Sequence, residues 1–220
     1  MAGSDVVEDG GPPVGYALVL PPGWRRVPLR SGTDGVIASI IAQAFRARSR
    51  DESATARREL HVRLRELVSA ARAGNGLDLY LPVELQYGAV IGSSFVVGEV
   101  SFESVEPVDP SVLVARLAGA TSARAVAVAG VPGARTERVV AADAERDLGV
   151  GSRRVDYVLP VPEDPARWVL VSFSTVGQGD PQDELVELSI ELFDAIMSTF
   201  RWTGTRGLRS STTRSMTSTA

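Results

Sequence analysis

The side chains most often used for catalysis or metal binding are scarce in this sequence. Among its 220 residues there is one histidine, His61, there is no cysteine, and all 23 basic residues are arginine. A single histidine with no cysteine beside it cannot form a usual zinc site. A chain without lysine cannot form a Schiff base or supply the lysine of a phosphate-binding loop. We therefore expect no metal, no cofactor and no enzymatic activity.

Two further patterns have the composition of sites, but each has a simpler structural explanation. Residues 149–153 read GVGSR, yet this G-x-G pattern lacks a third glycine and precedes a predicted strand, so it predicts a hairpin turn. Acidic residues within or near predicted strands could pair for acid–base catalysis, and these are Glu84, Glu99, Glu103 and Asp156. Their spacing is that of a solvated sheet face, so no catalytic pair is predicted.

Arginine is concentrated in one part of the chain. Residues 24–73 contain eleven arginines and five acids, whereas residues 74–220 contain twelve arginines and nineteen acids. A helix predicted over about 52–73 has a leucine stripe of Leu60, Leu64 and Leu67, continued by Ala71. On the same helix Arg58, Arg65 and Arg72 are spaced by seven and share one face beside this stripe. Arginine pairs with carboxylates while its stem covers apolar surface. These three residues are predicted to form a surface for an acidic protein partner.

The alternative to an external partner is internal pairing with the last helix. An acidic row shares one face of that helix and consists of Glu184, Glu187, Glu191 and Asp194. The hairpin arginines would then contact this row and bind nothing outside. Nucleic-acid binding is not expected, because the chain is acidic, with a pI of about 5.2, and lacks a helix-turn-helix signature.

The first part of the chain predicts short strands followed by two helices. Residues 16–20 form a short apolar run that ends at a Pro-Pro-Gly turn. Residues 24–29 are predicted to form a second short strand, which Pro28 confines to an edge. Apolar residues at helical spacing predict one helix over 31–49 and a second over 52–73, which ends at Gly74-Asn75-Gly76. The two helices form a helical hairpin.

After Gly76 the hydrophobic period falls to two, and short turns separate the runs, which is typical of an antiparallel sheet. Strands are predicted at 77–83, 88–92, 94–103, 123–130, 134–142, 153–161 and 167–176, with a short helix at 110–118. A final helix over about 182–200 has an apolar side that must be buried. These elements predict an α+β fold, an antiparallel β-sheet covered by the N-terminal helical hairpin and the long C-terminal helix.

Composition separates one folded domain, residues 16–202, from two ends predicted to be disordered. Residues 1–15 are acidic and rich in glycine and proline, and residues 203–220 hold ten serines and threonines but no acid. The first residues lack the features of a signal peptide, and no apolar stretch is long enough to span a bilayer. A cytoplasmic location without a membrane span is therefore expected.

The second half of the chain has a familiar order of elements. In sequence these are a strand before Gly130-Val131-Pro132-Gly133, a strand ending in Tyr157-Val158, VLVSFST at 169–175, and a helix ending in STFRW at 198–202. Together with the LPPGW turn at 20–24, this order resembles the Mog1/PsbP-like α/β/α sandwiches and a broad group of actinobacterial proteins with the same ending, over about residues 94–202. The helical hairpin at 31–73 departs from the simplest form of the pattern. The resemblance implies a non-enzymatic accessory or binding protein, such as one serving a secretion or envelope system, and it assigns no site residue.

A second architecture has almost the same order of elements. A strand, two helices, several antiparallel strands and a long C-terminal helix make up the helix-grip, START-like fold, in which the sheet wraps the helix around an apolar cavity. That fold would imply a carrier or sensor of a small apolar ligand. The predicted helix at 110–118 and the strongly apolar closing helix fit it less well. A closed core favours the interaction module, and a cavity above roughly 300 Å³ favours the carrier.

Overall fold

The structure, a computed structural model, describes residues 12–46, 53–84, 92–101, 123–141, 151–176 and 180–205. Within these ranges the helices are α1 (Thr33–Ala44), α2 (Ala54–Ala73) and α3 (Glu184–Ser198). The strands are β1 (Pro13–Ala17), β2 (Trp24–Pro28), β3 (Gly76–Pro82), β4 (Ser93–Ser101), β5 (Arg124–Val128), β6 (Val131–Val140), β7 (Ser152–Val161), β8 (Asp164–Thr175) and β9 (Arg201–Thr205).

Seven of the strands form one sheet in the order β2-β3-β4-β8-β7-β6-β5, and every neighbouring pair is antiparallel. Two-residue turns join β5 to β6 and β7 to β8. In the first of these turns Ala129 and Gly130 both have left-handed backbone angles, with φ of 50° and 80°. Turns of this kind match the right-handed twist of the strands they connect. The turn therefore sets the register in which β5 and β6 pair.

Helix α3 packs its apolar side on one face of the sheet. Its first turn is stabilised by Asp183, whose carboxylate accepts a hydrogen bond from the Leu185 N–H at 3.0 Å. The fully buried ring of Phe193 lies 4.7 Å from the ring of Phe173 and 5.4 Å from that of Phe95, measured between centroids. Aromatic rings thus fill the space between α3 and the sheet.

The helices α1 and α2 pack on the opposite face, over β2 and β3. Side chains alternate along β3, so that Leu79 contacts this helical layer while Tyr80 belongs to the core under α3. The helical side chains that complete the second core are Ile37, Ile40, Leu64, Val68 and Ala71. Helices therefore lie on both faces of the sheet.

The strands β1 and β9 form a separate two-stranded ribbon that packs against the core on the α3 side. Tyr16 pairs with Trp202 across the ribbon. The ring of Tyr16 stacks on that of Phe200 at 5.6 Å, and Trp202 meets the same ring edge-on at 5.0 Å. The ribbon thus joins the two ends of the described chain.

These observations confirm a mixed fold of helices and a mostly antiparallel sheet. The helix predicted over 52–73 spans Ala54–Ala73, and the one predicted over 182–200 spans Glu184–Ser198. The predicted strand at 88–92 lies outside the described residues except for Gly92, and the predicted helix at 110–118 lies wholly outside them.

The structure differs from the sequence prediction at both ends of the folded region. Strand β1 begins at Pro13 and β9 ends at Thr205, so residues 13–15 and 203–205 are strand although the sequence predicts disorder there. Each of these strands is paired only with the other, about 190 positions away along the chain. The composition of one short segment carries no information about so distant a partner.

Candidate functional site

A groove of about 470 Å³ runs between α2 and the sheet beside it, and we call it the α2 groove. Its wall is formed by Leu67, Ala70 and Gly74 at the C-terminal half of α2. The side chains on its floor include Ser94, Val96, Gly98, Leu170, Ser172 and Ser174. Serine and glycine are small, so they leave depth where larger residues would fill the space against the helix.

Among the described residues that line this groove, the one cation is Arg154, on the sheet side. The guanidinium of Arg154 donates to the Asp156 carboxylate at 3.0 Å and to the Ser172 hydroxyl at 3.2 Å, which holds it in place. The groove thus combines a mainly apolar wall with a few positioned polar groups, which is the composition of many ligand and peptide sites.

The outer surface of α2 is more apolar than the fold requires. Val62 is 47% exposed and Leu67 is 44% exposed, although both are large hydrophobic residues. The helix buries only Leu64, Val68 and Ala71. Leu67 belongs to the leucine stripe in the sequence, but in the structure it borders the α2 groove instead of the core.

The three hairpin arginines lie along the flank of α2 that faces α1. The Arg72 guanidinium donates to the Leu29 carbonyl at 2.8 Å and to the Thr33 hydroxyl at 2.9 Å, so it holds α2 against the start of α1. Arg65 forms an exposed ion pair with Asp34 at 3.1 Å. Arg58 is exposed near the start of α2. Since Leu67 borders the groove, the arginines and the groove occupy opposite flanks of the helix.

The acidic row on α3 meets arginines of the sheet, not those of the hairpin. Arg135 of β6 donates to Asp194 at 2.9 Å, and Arg153 of β7 donates to Glu187 at 2.7 Å. The Tyr157 hydroxyl also donates to Asp194, at 2.7 Å. Sequence reasoning identified the carboxylates but missed these partners.

Glu137 lies between two of these arginines and links them. Arg135 donates to its carboxylate at 2.9 Å, and Arg153 donates to the other carboxylate oxygen. Burial alone would raise the pKa of Glu137, but the hydrogen bonds from Arg153 and Arg135 outweigh it and hold the pKa below its ordinary value. Burial would likewise lower the pKa of Arg135, whereas its bonds to Asp194 and Glu137 raise it overall. Both groups stay charged at neutral pH.

An open pocket of about 560 Å³ adjoins this network, and we call it the arginine pocket. Its charged lining consists of Arg124, Arg135, Glu137, Arg138, Arg153 and Glu187. The sequence shows no motif for this pocket. The one feature of the local sequence that indicates it is the spacing of Arg135 and Glu137. They are two positions apart on β6, so both side chains lie on the face that α3 covers.

A second polar cluster attaches the β1–β9 ribbon to the sheet. Asp78 on β3 is only 2% exposed, and Arg26 donates to both of its oxygens, at 2.7 and 2.9 Å. The Tyr16 hydroxyl donates to the same carboxylate at 2.5 Å and lies 2.9 Å from the Tyr80 hydroxyl. Burial, followed by the neighbouring Tyr80 and Asp78, raises the pKa of Tyr16 far above its ordinary value, so it remains a donor.

The remaining candidates from the sequence do not converge. His61 is exposed on α2. Glu99 pairs with Arg167 on the α3 face at 3.6 Å, whereas Asp156 lies on the opposite face, so the two carboxylates cannot act together. Glu84 accepts a hydrogen bond from Gln43. Glu103 and residues 149–150 lie outside the described ranges. In those ranges no three histidine, cysteine or acidic residues cluster closely enough to hold a metal ion.

Comparison of the sequence with protein-family models found no match, and comparison with curated proteins found none either. In the part of the chain that the structure describes, no helix combines the length and apolarity needed to cross a membrane. Function is therefore inferred from the surfaces themselves.

Proposed function

We propose that this protein is a non-enzymatic interaction module that binds an acidic, partly apolar segment of another protein along α2. The observation that carries this proposal is the exposed side chain of Leu67 at the edge of the α2 groove. A large apolar residue that borders a recess contributes little to its own fold, whereas it can be buried by a partner.

The two flanks of α2 supply complementary parts of such an interface. The groove offers apolar contacts, which provide most of the binding free energy when a partner excludes water from them. On the other flank Arg58 is exposed to carboxylates of the partner. Arg65 is bound to Asp34 in a solvent-exposed ion pair, which it can exchange for a carboxylate of the partner. Arg72 is a structural residue in this proposal, because its guanidinium is bound within the fold.

The wider setting is also a proposal. The chain is a relative of the Mog1/PsbP-like sandwiches, it acts in the cytoplasm, and it serves a secretion or envelope system as an accessory factor. In this arrangement the hairpin and the closing helix cover the two faces of the sheet. Support comes from the three-layer order of helix, antiparallel sheet and helix, and from the element order over residues 94–202.

Site-specific photocrosslinking tests the interface directly. A photoreactive phenylalanine analogue replaces Leu67 in the full chain, and a matched control carries it at Leu188. Leu188 is 46% exposed on α3, which lies on the opposite face. After irradiation in the native host, we expect a specific protein adduct at Leu67 that is missing at Leu188.

The purified partner should then bind the Leu67→Glu and Arg58→Glu variants at least about tenfold more weakly than it binds the natural chain. Identical adducts at both positions, or none at Leu67, would contradict the proposal.

A second candidate function is the binding of a small amphipathic ligand in the same groove. The volume of about 470 Å³ lies in the range of small-molecule sites. Val96, Leu170 and Leu67 would contact the apolar part of the ligand, and Arg154 would bind a carboxylate. This site differs from the helix-grip alternative, since it lies under α2 and not under α3.

Native mass spectrometry distinguishes the two functions. Ser172→Leu places a larger side chain on the floor of the groove and should leave the melting temperature nearly unchanged. If the groove carries a ligand, protein purified from the host should show an added mass that the Ser172→Leu variant lacks. The same spectrum from both proteins would exclude the carrier function and leave the interaction module.

A further inference from the structure

Two arginines lie side by side on the face of the sheet that carries the α2 groove. Arg154 of β7 lines the groove, and Arg138 of β6 is directly opposite it on the neighbouring strand, so both side chains lie on this face. On the other side of Arg154, the register places Ser174 of β8 opposite it, and Ser174 also lines the groove. The two arginines are therefore continuous with the groove.

Both guanidiniums approach one carboxylate, that of Asp156. Arg154 donates to it at 3.0 Å, and the Nη2 atom of Arg138 lies 3.7 Å from its other oxygen. The Asp156 side chain is 12% exposed, whereas those of Arg138 and Arg154 are 57% and 39% exposed. The guanidiniums thus lie on the solvent side of the carboxylate between them, close enough together to contact one more group of the same size.

This cluster has an excess of one positive charge. Like charges directly opposite each other on a sheet are destabilising, and Asp156 supplies one negative charge for two positive ones. Arg154 binds Asp156 through Nε and Ser172 through Nη2. Among the described residues, its Nη1 and all the donors of Arg138 have no acceptor within hydrogen-bond distance. One further carboxylate would balance the charge and accept these hydrogen bonds.

The apolar floor of the α2 groove begins next to the two arginines. The Ser172 hydroxyl accepts from Arg154 at 3.2 Å, and Val96 of β4 is directly opposite Ser172. Neighbouring strands are about 5 Å apart, so a bound carboxylate and the apolar floor are separated by roughly that distance. Two side chains on the same side of an extended segment are about 7 Å apart. A terminal carboxylate and the side chain of its own residue leave the same Cα atom, so they fit the shorter separation better.

We propose that Arg138 and Arg154 bind the C-terminal carboxylate of the partner, with the apolar side chain of its last residue in the α2 groove. Such a site rests on the interaction function proposed above and specifies the partner as a protein whose chain ends in an apolar residue. The two guanidiniums donate to the terminal carboxylate, and charge-assisted hydrogen bonds of this kind are the strong ones. Leu67 and Val96 contact the last side chain. Capture of a chain end fixes the direction in which the segment binds.

A peptide array tests the terminal carboxylate before the partner is known. It carries octapeptides of random sequence, each synthesised once with a free C-terminal carboxylate and once as the C-terminal amide. We expect the full chain to bind free-acid peptides that end in leucine, isoleucine, valine or phenylalanine, and to bind the matching amides at least about tenfold more weakly. Equal binding of the two forms, or no binding of either, would overturn the proposal.

Variants that remove charge locate the site. For the tightest free-acid peptide, isothermal titration calorimetry should show at least about tenfold weaker binding to Arg138→Gln/Arg154→Gln than to the natural chain. The control is Arg124→Gln/Arg201→Gln, which removes the same charge from exposed positions on the α3 side and should leave the affinity unchanged. If the double variant loses stability, Arg138→Gln alone should weaken binding at least about threefold. A control pair that weakens binding as much as the test pair would contradict the assignment.

Leu67→Glu separates this site from the interface along α2. If Leu67→Glu weakens peptide binding while free acids and amides bind equally, the interface is correct and the terminal carboxylate site is wrong. If the arginine variants weaken binding of the free acids while Leu67→Glu leaves it unchanged, the carboxylate site is correct and the interface is wrong. Loss of binding in both kinds of variant supports the two together.

Discussion

Asp78 and Asp194 each hold an outer element of the fold against the sheet. Asp78 accepts from Arg26 and from Tyr16, which connects the β1–β9 ribbon to β3. Asp194 accepts from Arg135 and Tyr157, which connects α3 to β6 and β7. Hydrogen bonds to an ionised carboxylate are stronger than those between neutral groups. Both acids therefore hold the fold together.

We expect Asp78→Ala to lower the free energy of unfolding by about 3 kcal/mol, because it leaves the partly buried Tyr16 hydroxyl without its carboxylate. The control is Asp34→Ala, which breaks an exposed ion pair with Arg65 and should cost less than about 1 kcal/mol. Urea denaturation of the three proteins at pH 7 gives the comparison. Equal losses for the two variants would show that the Asp78 cluster does not support the ribbon.

Glu137 predicts a pH dependence of stability. Its pKa is lower in the folded chain than in the unfolded one, so its contribution is present above the unfolded pKa of about 4.3. That contribution is lost as the pH falls through the folded pKa. At pH 7 we expect Glu137→Gln to cost roughly 1–3 kcal/mol, and the difference from the natural chain should shrink below about pH 4.

Urea titrations at pH 7 and pH 3 measure both values for Glu137→Gln. Glu191→Gln, at an exposed position on α3, is the control and should change stability little at either pH. A cost for Glu137→Gln that stays constant over this range would mean that the charge of Glu137 is not what stabilises the fold.

At the scale of elements, α2 and α3 differ in how many of their apolar side chains the fold buries. α3 buries Val186, Ile190, Phe193, Ile196 and Met197, whereas α2 buries Leu64, Val68 and Ala71 although it is five residues longer. The long helix with the smaller buried stripe is the one that borders a groove and exposes Val62 and Leu67. This difference supports our proposal of a partner surface on α2, whereas the apolar side of α3 is buried in the core.

Substitution of Phe193 tests that assignment. Phe193→Ala removes a fully buried ring that contacts Phe95 and Phe173, so we expect a loss of roughly 3–5 kcal/mol. Leu188→Ala on the exposed side of the same helix should cost less than about 1 kcal/mol. Thermal and urea denaturation give both values. A Phe193→Ala variant as stable as the natural chain would show that this side of α3 is available to a partner.

At the scale of the whole molecule, the first and the last of the described strands pair with each other. Strand β1 precedes all the other described elements and β9 follows them, yet they pair with each other and pack on the core through Tyr16, Phe200 and Trp202. A ribbon of this kind closes the chain on itself. We therefore expect the ribbon to contribute to the cooperative stability of the fold.

Shortening the chain measures that contribution. A chain that ends at Thr205 should melt within about 2 °C of the full chain, because residues 206–220 have too few apolar side chains to add to a core. A chain that ends at Phe200 loses β9 and the Trp202 packing, and it should melt about 5–10 °C lower. Differential scanning calorimetry compares the three. A chain ending at Phe200 with an unchanged melting temperature would show that the ribbon is not part of the cooperative unit.

Much of this fold is predictable from periodicity. The helices α2 and α3 follow from long runs of apolar residues at helical spacing, which local geometry alone can satisfy. Strands β4, β7 and β8 follow from alternation between short turns. In contrast, β9 has the sequence RWTGT, which shows little alternation, and β6 begins at Val131 because Ala129 and Gly130 supply the turn. The sequence prediction begins that strand at residue 134.

The sequence by itself determined which segments have an apolar side to bury and which chemistry is excluded, since both depend on residue type and local spacing. Only the tertiary structure decided which charges meet. The acidic row of α3 was compatible with the hairpin arginines, but the strand order places β6 and β7 beneath α3 and the hairpin on the opposite face. Glu187 and Asp194 therefore pair with Arg153 and Arg135. Charge pairing depends on distances of a few ångströms between remote segments, and those distances exist only once the sheet has formed.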